Sequence, residues 1–295
     1  MTLPPPNAGD DRARVLRAMI LMSAAVSLYP LGDAIAKHLT QTYPVVFVTW
    51  ARYLFNFLIM AAVLGGPRVV RHYRTAQPRL QVARGVLAAL STMSFIAALH
   101  SITLVDAYAL LFANPLIIVA LSVPLLGERV GLHRWSAVLF GFAGVLIVLR
   151  PGGEFFQWGS LFALFSAFSV ALINIMTRRL SATDAPMTIL LYMATVGTLV
   201  LSLAVPFHWA EPTWDAWVLL FLAGLVGGLG HLGAIMAIRM APLSAVAPFS
   251  YVQIVTAVIL GYVVFRELPD QWAVTGMAVI IGAGLYLLRR ERAGR

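Results

Sequence analysis

Apolar runs of about 20 residues recur along the whole chain, and no other feature constrains its fold so far. A helix of about 20 apolar residues crosses the roughly 30 Å of hydrocarbon in a bilayer. Only helices and closed barrels satisfy their backbone there. Ten runs are long enough: 17–37, 45–64, 80–100, 104–126, 133–150, 158–178, 186–205, 216–238, 243–265 and 271–289. The spacing predicts an all-α polytopic membrane protein with ten transmembrane helices. The links between runs are short and carry turn residues, as in "RPGGEFFQ" and "SATDAP". Composition agrees, since 60% of residues are hydrophobic and 11% charged, against about 45–50% and about 25% in soluble domains. The opening "MTLPPPNAGDDRARVLR" mixes prolines, acids and arginines, unlike a cleavable signal. The chain has no cysteine, which excludes disulfides and zinc-thiolate sites.

The net charge of +9 has an explanation that needs no nucleic acid. With the N-terminus inside, 17 of the 21 Lys and Arg fall at cytoplasmic links and tails, among them Arg68, Arg71, Arg74, Arg79 and Arg84. Lys37, Arg150 and Arg266 fall outside, and Arg52 lies within a run. The positive-inside rule then puts both termini in the cytoplasm and the chain in the inner (plasma) membrane.

Two runs end on an acid–base pair, Glu128–Arg129 and Arg266–Glu267. Sliding the sequence by 139 aligns Ala98 with Ala237, Leu104 with Leu243, Glu128 with Glu267 and Arg150 with Arg289. Each half then holds five spans, and an odd number turns the second half over in the membrane. The expected organisation is a cytoplasmic tail at 1–16, a first five-helix repeat at 17–150, an inverted second repeat at 151–290 and a short cytoplasmic tail at 291–295. Inverted repeats build many secondary transporters, with the substrate near mid-membrane between the halves.

Three stretches carry a family resemblance: "YPVVFVTWARYLFNFLIMAAVL" at 43–64, the 104–152 segment containing "FANPLIIVALSVPLLGERVG", and its echo at 243–289 containing "FSYVQIVTAVILGYVVFREL". There the sequence resembles the EamA-type transporters of the drug/metabolite transporter superfamily, and within them the YddG-like exporters of aromatic amino acids. The resemblance implies a ten-helix basket, with spans three, four, eight and nine around a cavity and five and ten outside. The second half departs from the pattern, with "FRE" where the first has "GE", so no shared role is given to the two glutamates.

Polar residues inside the runs are the candidates for function. A charge at the centre of a span costs about 2.5–3.5 kcal/mol on insertion scales, so Arg52 is the first of them. Asp33, at a similar depth, is its expected partner, and the pair either meets substrate or locks the first two spans. Lys37 lies four residues after Asp33 on the same helix face, and is expected as a helix-end pair snorkelling outward. Tyr29 precedes Pro30 and is a cavity candidate beside a kink. Asn114, before Pro115, aligns with Gln253, and Phe112 aligns with Tyr251. These four are candidates to line the cavity, or else to bond and pack between helices. His231 follows "LVGGLG", where glycines permit close approach or unwinding, and reads more readily as a packing residue than as a proton carrier.

Together these features predict a secondary transporter working by alternating access. The resemblance points to export of amino acids, aromatic ones first, or related amphipathic metabolites. An uptake carrier for a nucleoside-like metabolite is the alternative. A membrane enzyme is the remote one, since the chain lacks H-E-x-x-H, G-x-S-x-G and nucleotide-binding glycine loops. A ten-span unit suffices as a monomer among lipids. No cofactor or metal spacing is present, and protons are the candidate coupling ion.

Overall fold

A computed structural model describes residues 8–64, 66–126, 132–151, 157–241 and 247–293. Within them the chain is helical: α1 Ala8–Leu39, α2 Val45–Val63, α3 Pro78–Leu99, α4 Leu104–Leu111, α5 Asn114–Leu126, α6 Leu132–Leu149, α7 Trp158–Leu180, α8 Pro186–Ser202, α9 Trp214–Met240, α10 Val252–Phe265 and α11 Gln271–Ala293. Short 3-10 turns occupy Gly66–Tyr73, Val205–Phe207 and Ala247–Tyr251.

Among the described residues, six segments are long and apolar enough to span: Ala13–Leu39, Val45–Val63, Pro78–Leu99, Leu104–Leu121, Trp158–Leu180 and Trp214–Ala234. Four shorter apolar helices, Trp135–Leu149, Pro186–Ser202, Phe249–Phe265 and Gln271–Tyr286, cover the remaining predicted runs. The chain is thus an all-α, multi-pass membrane protein. Residues 8–16 are helical and form the start of α1; the run is rich in the helix formers Ala, Arg and Leu.

Lipid tails are as apolar as Leu, so helices in a membrane associate through small residues and hydrogen bonds rather than hydrophobic burial. The interfaces follow that rule. On α3, Ala88, Ser91, Ser94 and Ala98 are buried, and on α7 Ala163, Ser166 and Ala167. Ser91 and Ser166 hydroxyls meet at 3.0 Å, and Ser94 donates to the Phe162 carbonyl at 2.9 Å. Large apolar side chains point outward instead, including Leu139, Phe140 and Phe142 on α6 and Val255, Ile259 and Val263 on α10. Gly144 on α6 and Gly276 on α11 sit so close that a Cβ on either would lie under 3.0 Å from the other's carbonyl oxygen.

The predicted span 104–126 is two helices, interrupted at Phe112–Ala113. Pro115 has no N–H to return to the Leu111 carbonyl, so α4 stops, and a proline is tolerated in the first turn of the next helix. The interruption recurs 139 residues on. The 3-10 turn Ala247–Tyr251 ends there and α10 starts at Val252. Glu128 and Leu243 lie outside the described residues.

Among the described residues, two helix ends adopt left-handed backbone at non-glycine positions, Arg150 (φ 47°) and Arg266 (φ 59°). At the second, Glu267 N–H bonds the Gly261 carbonyl at 3.0 Å and Arg266 N–H bonds Tyr262 at 3.1 Å. The left-handed residue with its bond four residues back is an αL C-cap, and Arg266 occupies the position where the first half has Gly127.

Candidate functional site

Polar side chains form a ladder along the interior. At one end Lys37, buried, donates to both carboxylate oxygens of Glu267 at 2.7 Å and to the Ile102 carbonyl at 3.1 Å. Its ammonium also lies 5.0 Å from the Phe265 ring centre. The expectation of a Lys37 that snorkels outward beside Asp33 is therefore corrected. Asp33 is bonded to Arg52 and Tyr108, and the left-handed turn at Arg266 presents Glu267 to Lys37 from a different helix. Beside this pair, Arg150 bonds Asp270, joining the end of α6 to the start of α11.

One layer in, about 9 Å along α1 from its C-terminus at 1.5 Å per residue, stands Asp33. Arg52 Nη1 donates to its Oδ1 at 2.5 Å, and the Tyr108 hydroxyl donates to its Oδ2 at 2.5 Å. The predicted Asp33–Arg52 partnership exists, and Tyr108 on α4 completes it. The carboxylate is thereby bonded from two helices. Tyr108 is fully buried against Phe95, with ring centres 5.4 Å apart.

Tyr29 lies one turn deeper on the same face of α1, about 15 Å from the helix end. Its hydroxyl meets His231 Nδ1 at 3.3 Å, with ring centres 5.1 Å apart. The glycines of α9 make this possible by close approach, not unwinding, because Trp214–Met240 is one continuous helix. A Cβ on Gly230 would stand 2.9 Å from the Tyr29 ring, and one on Gly227 3.5 Å from Arg52 Nε. Asn56 follows Arg52 by one turn, is buried, and lies against Gly228. Among the described residues, neither the Asn56 amide nor His231 Nε2 has a hydrogen-bond partner, and neither is sealed from water.

The other four candidates form a second group. Phe112 and Tyr251 stack on one another, centres 4.9 Å apart and planes 25° apart. Both belong to the apolar core that also holds Tyr108, and the Tyr251 hydroxyl fills the space left by Gly284 on α11. Asn114 accepts from Asn174 of α7 at 3.4 Å. Gln253 is half-buried. Thus Asp33, Arg52 and Tyr108 are joined by hydrogen bonds and Tyr29 meets His231, while Phe112 and Tyr251 stack in the apolar core that also holds Tyr108.

Sequence reasoning did not single out Tyr108, Asn56 or the Lys37–Glu267 pair. It also placed Arg84 with the loop arginines, whereas the structure buries it on α3. Of these, only Asn56 carried a usable signal, its i+4 spacing from Arg52. Among the described residues no cluster of His, Asp and Glu could hold a metal.

The EamA-like transporter family matches this chain twice, over residues 16–150 and 157–290. The chain belongs to that family. Members similar to it differ in what their names say they carry. A riboflavin transporter of Rhizobium johnstonii is 30% identical over 289 residues, covering 96% of this chain and 94% of its own. An S-adenosylmethionine uptake transporter of Rickettsia bellii is 28% identical over 265 residues, covering 88% and 89%. A pseudopaline exporter of Pseudomonas aeruginosa is 27% identical over 288 residues, covering 94% and 98%. A solved crystal structure superposes with a TM-score of 0.64 at 22% identity, over 93% of this chain and 98% of that one, a likeness of fold. The chain is accordingly a small-molecule transporter by family, and family membership and names give no support to an enzyme.

Proposed function

We propose that the chain is a secondary carrier of ten spans, built from two inverted five-helix halves with both termini in the cytoplasm. It moves a flat heteroaromatic metabolite with a polar tail inward across the inner membrane, by alternating access. The observation that carries this reading is the Tyr29–His231 contact. It joins α1 of the first family match to α9 of the second, at mid-depth, and leaves His231 Nε2 and the Asn56 amide open. Two aromatic faces with open donors and acceptors suit a heteroaromatic ring. S-adenosylmethionine and riboflavin, named for two relatives, share that chemistry.

On this reading Arg52 does not meet substrate, because Asp33 already occupies it; the pair braces α1 against α2. The Lys37–Glu267 end faces outward and the arginine-rich end inward. On this reading the Lys37–Glu267 pair closes the outer end.

Amino acid export is the second reading, favoured by the pseudopaline exporter at 94% coverage. Counterflow in proteoliposomes with labelled S-adenosylmethionine, riboflavin and tryptophan, with and without a pH gradient, tests both. Exchange of either of the first two, reduced at least tenfold by His231→Ala, is the expected result. Exchange of tryptophan alone supports the second reading, and exchange of none contradicts the carrier. A rate unchanged by the pH gradient removes the proton as coupling ion.

A further inference from the structure

Arg84 is a buried arginine of a different kind from Arg52. It sits six residues into α3, about 9 Å from the helix start at 1.5 Å per residue, and only 7% of its surface is exposed. Its Nε donates to Thr177 Oγ1 on α7 at 2.7 Å, and its Nη1 to the Ile189 carbonyl on α8 at 3.3 Å. Both acceptors are neutral. No carboxylate among the described residues pairs with it. A guanidinium has five N–H donors, and these two bonds leave most of them open. Its nitrogens are not among the buried atoms sealed without a partner, so the open donors face space that water or a solute can enter.

A charge inside a span pairs with another charge or with backbone carbonyls, and such ionisable groups commonly mark a substrate path. Three bonded protein carboxylates in this fold, Asp33, Glu267 and Asp270, are already taken by Arg52, Lys37 and Arg150. Asp184 is held by Thr75 and Gln81. Among the described residues no carboxylate pairs with Arg84, so an anion from outside the chain can supply its counter-charge. The guanidinium plane favours a two-oxygen anion bound edge-on.

We propose that Arg84 is the subsite for an anionic group, a carboxylate or a phosphate, on the solute this carrier moves. The inference rests on the carrier reading for the word solute, but the anion site itself is testable without transport. A lipid headgroup phosphate offers the same chemistry, so the test separates the two sources.

Purified full-length protein in phosphatidylcholine nanodiscs is titrated with inorganic phosphate, and with tryptophan against its uncharged-tail analogue tryptophanamide. Thermal midpoint is the readout. The expected result is a saturable rise with phosphate or tryptophan and none with tryptophanamide. In Arg84→Met the half-saturating concentration increases at least tenfold, and in Arg84→Lys by less. If Arg84→Met does not fold, Thr177→Asp serves instead. It sets a carboxylate beside Arg84 and is expected to abolish the anion response in a stable protein. An anion response of equal strength in Arg84→Met or Thr177→Asp overturns the proposal, as does no anion response in the wild type. A midpoint raised through Arg84 only by adding phosphatidylglycerol to the nanodiscs also overturns it, in favour of a lipid site. Failure of counterflow with the Arg84-dependent response intact sinks the carrier reading and leaves the anion site standing.

Discussion

Arg52 and Arg84 lie on adjacent helices and are both largely withdrawn from water, yet their surroundings differ in one respect. Arg52 meets a carboxylate, which a tyrosine hydroxyl also holds. Arg84 meets a hydroxyl and a backbone carbonyl. A guanidinium with an internal counter-ion has little left to offer a ligand, and serves to hold helices. One with only neutral partners retains most of its charge and donors. The sequence shows two arginines in apolar runs; only the partners distinguish brace from receptor.

The comparison is broken most severely by turning the first arginine into the second kind. Asp33→Asn strips Arg52 of its counter-charge and is expected to cost about 3–5 kcal/mol, the scale for orphaning one member of a buried pair. The double variant Asp33→Asn, Arg52→Gln should recover most of that. Thermal midpoints of the detergent-purified proteins check both. Additive losses in the double variant would mean the two residues do not act as a pair.

The Lys37–Glu267 pair sharpens the same point, because its members are unequally buried, with side-chain exposures of 7% and 29%. Glu267→Gln leaves a buried ammonium unpaired and is expected to cost about 3 kcal/mol. Lys37→Met leaves a glutamate that water can reach and should cost about 1 kcal/mol. Equal losses would show that the pair is solvated.

Asp184 is the acidic counterpart of Arg84, a charge satisfied by neutral partners, but at a helix link. Partial burial alone would raise its carboxyl, yet hydrogen bonds from Thr75, Gln81 and the Ala76 N–H outweigh that and hold it below the usual range. Its folded pKa is thus below its unfolded one, so it adds stability at neutral pH that is lost as pH falls below about 4. Asp184→Ala should cost about 2 kcal/mol at pH 7. Asp184→Asn should flatten that part of the acid profile. A wild-type profile matching Asp184→Asn at every pH would remove Asp184 from this role.

The smallest effect is at Arg266. A left-handed backbone costs an L-residue about 1–2 kcal/mol, and glycine avoids it. Arg266→Gly is expected to stabilise by about 1 kcal/mol in equilibrium unfolding, since its guanidinium makes only a 5.6 Å contact with the Tyr262 ring. A loss of stability would assign that contact more weight than the backbone.

Much of the fold was legible because bilayer thickness sets run length, and the helices lie where the apolar runs lie. The Asp33–Arg52 pair was legible because charges inside runs are few and must find each other. Tyr108 was not, since a tyrosine in an apolar run is ordinarily packing, and nothing local marks its reach to α1. Lys37 had an acid four residues away and chose one 230 residues away, a choice made by the turn at Arg266 and invisible along the chain. Arg84 read as a loop arginine because it lies so near the start of its run. The break at Phe112–Ala113 was half-legible from Pro115, but at its recurrence near Tyr251 the position aligned with Pro115 is Ile254, and the nearby proline, Pro248, precedes Tyr251 by three residues.

The claim on which the rest depends is that water and solute reach the seam where α1 and α9 meet. The chain has no cysteine, so His231→Cys introduces a single reporter without further change. In sealed vesicles of both orientations, an impermeant thiol reagent should label position 231 from the arginine-rich side. A thiol at 231 that reacts from neither side, with or without solute, would contradict a carrier path through this seam.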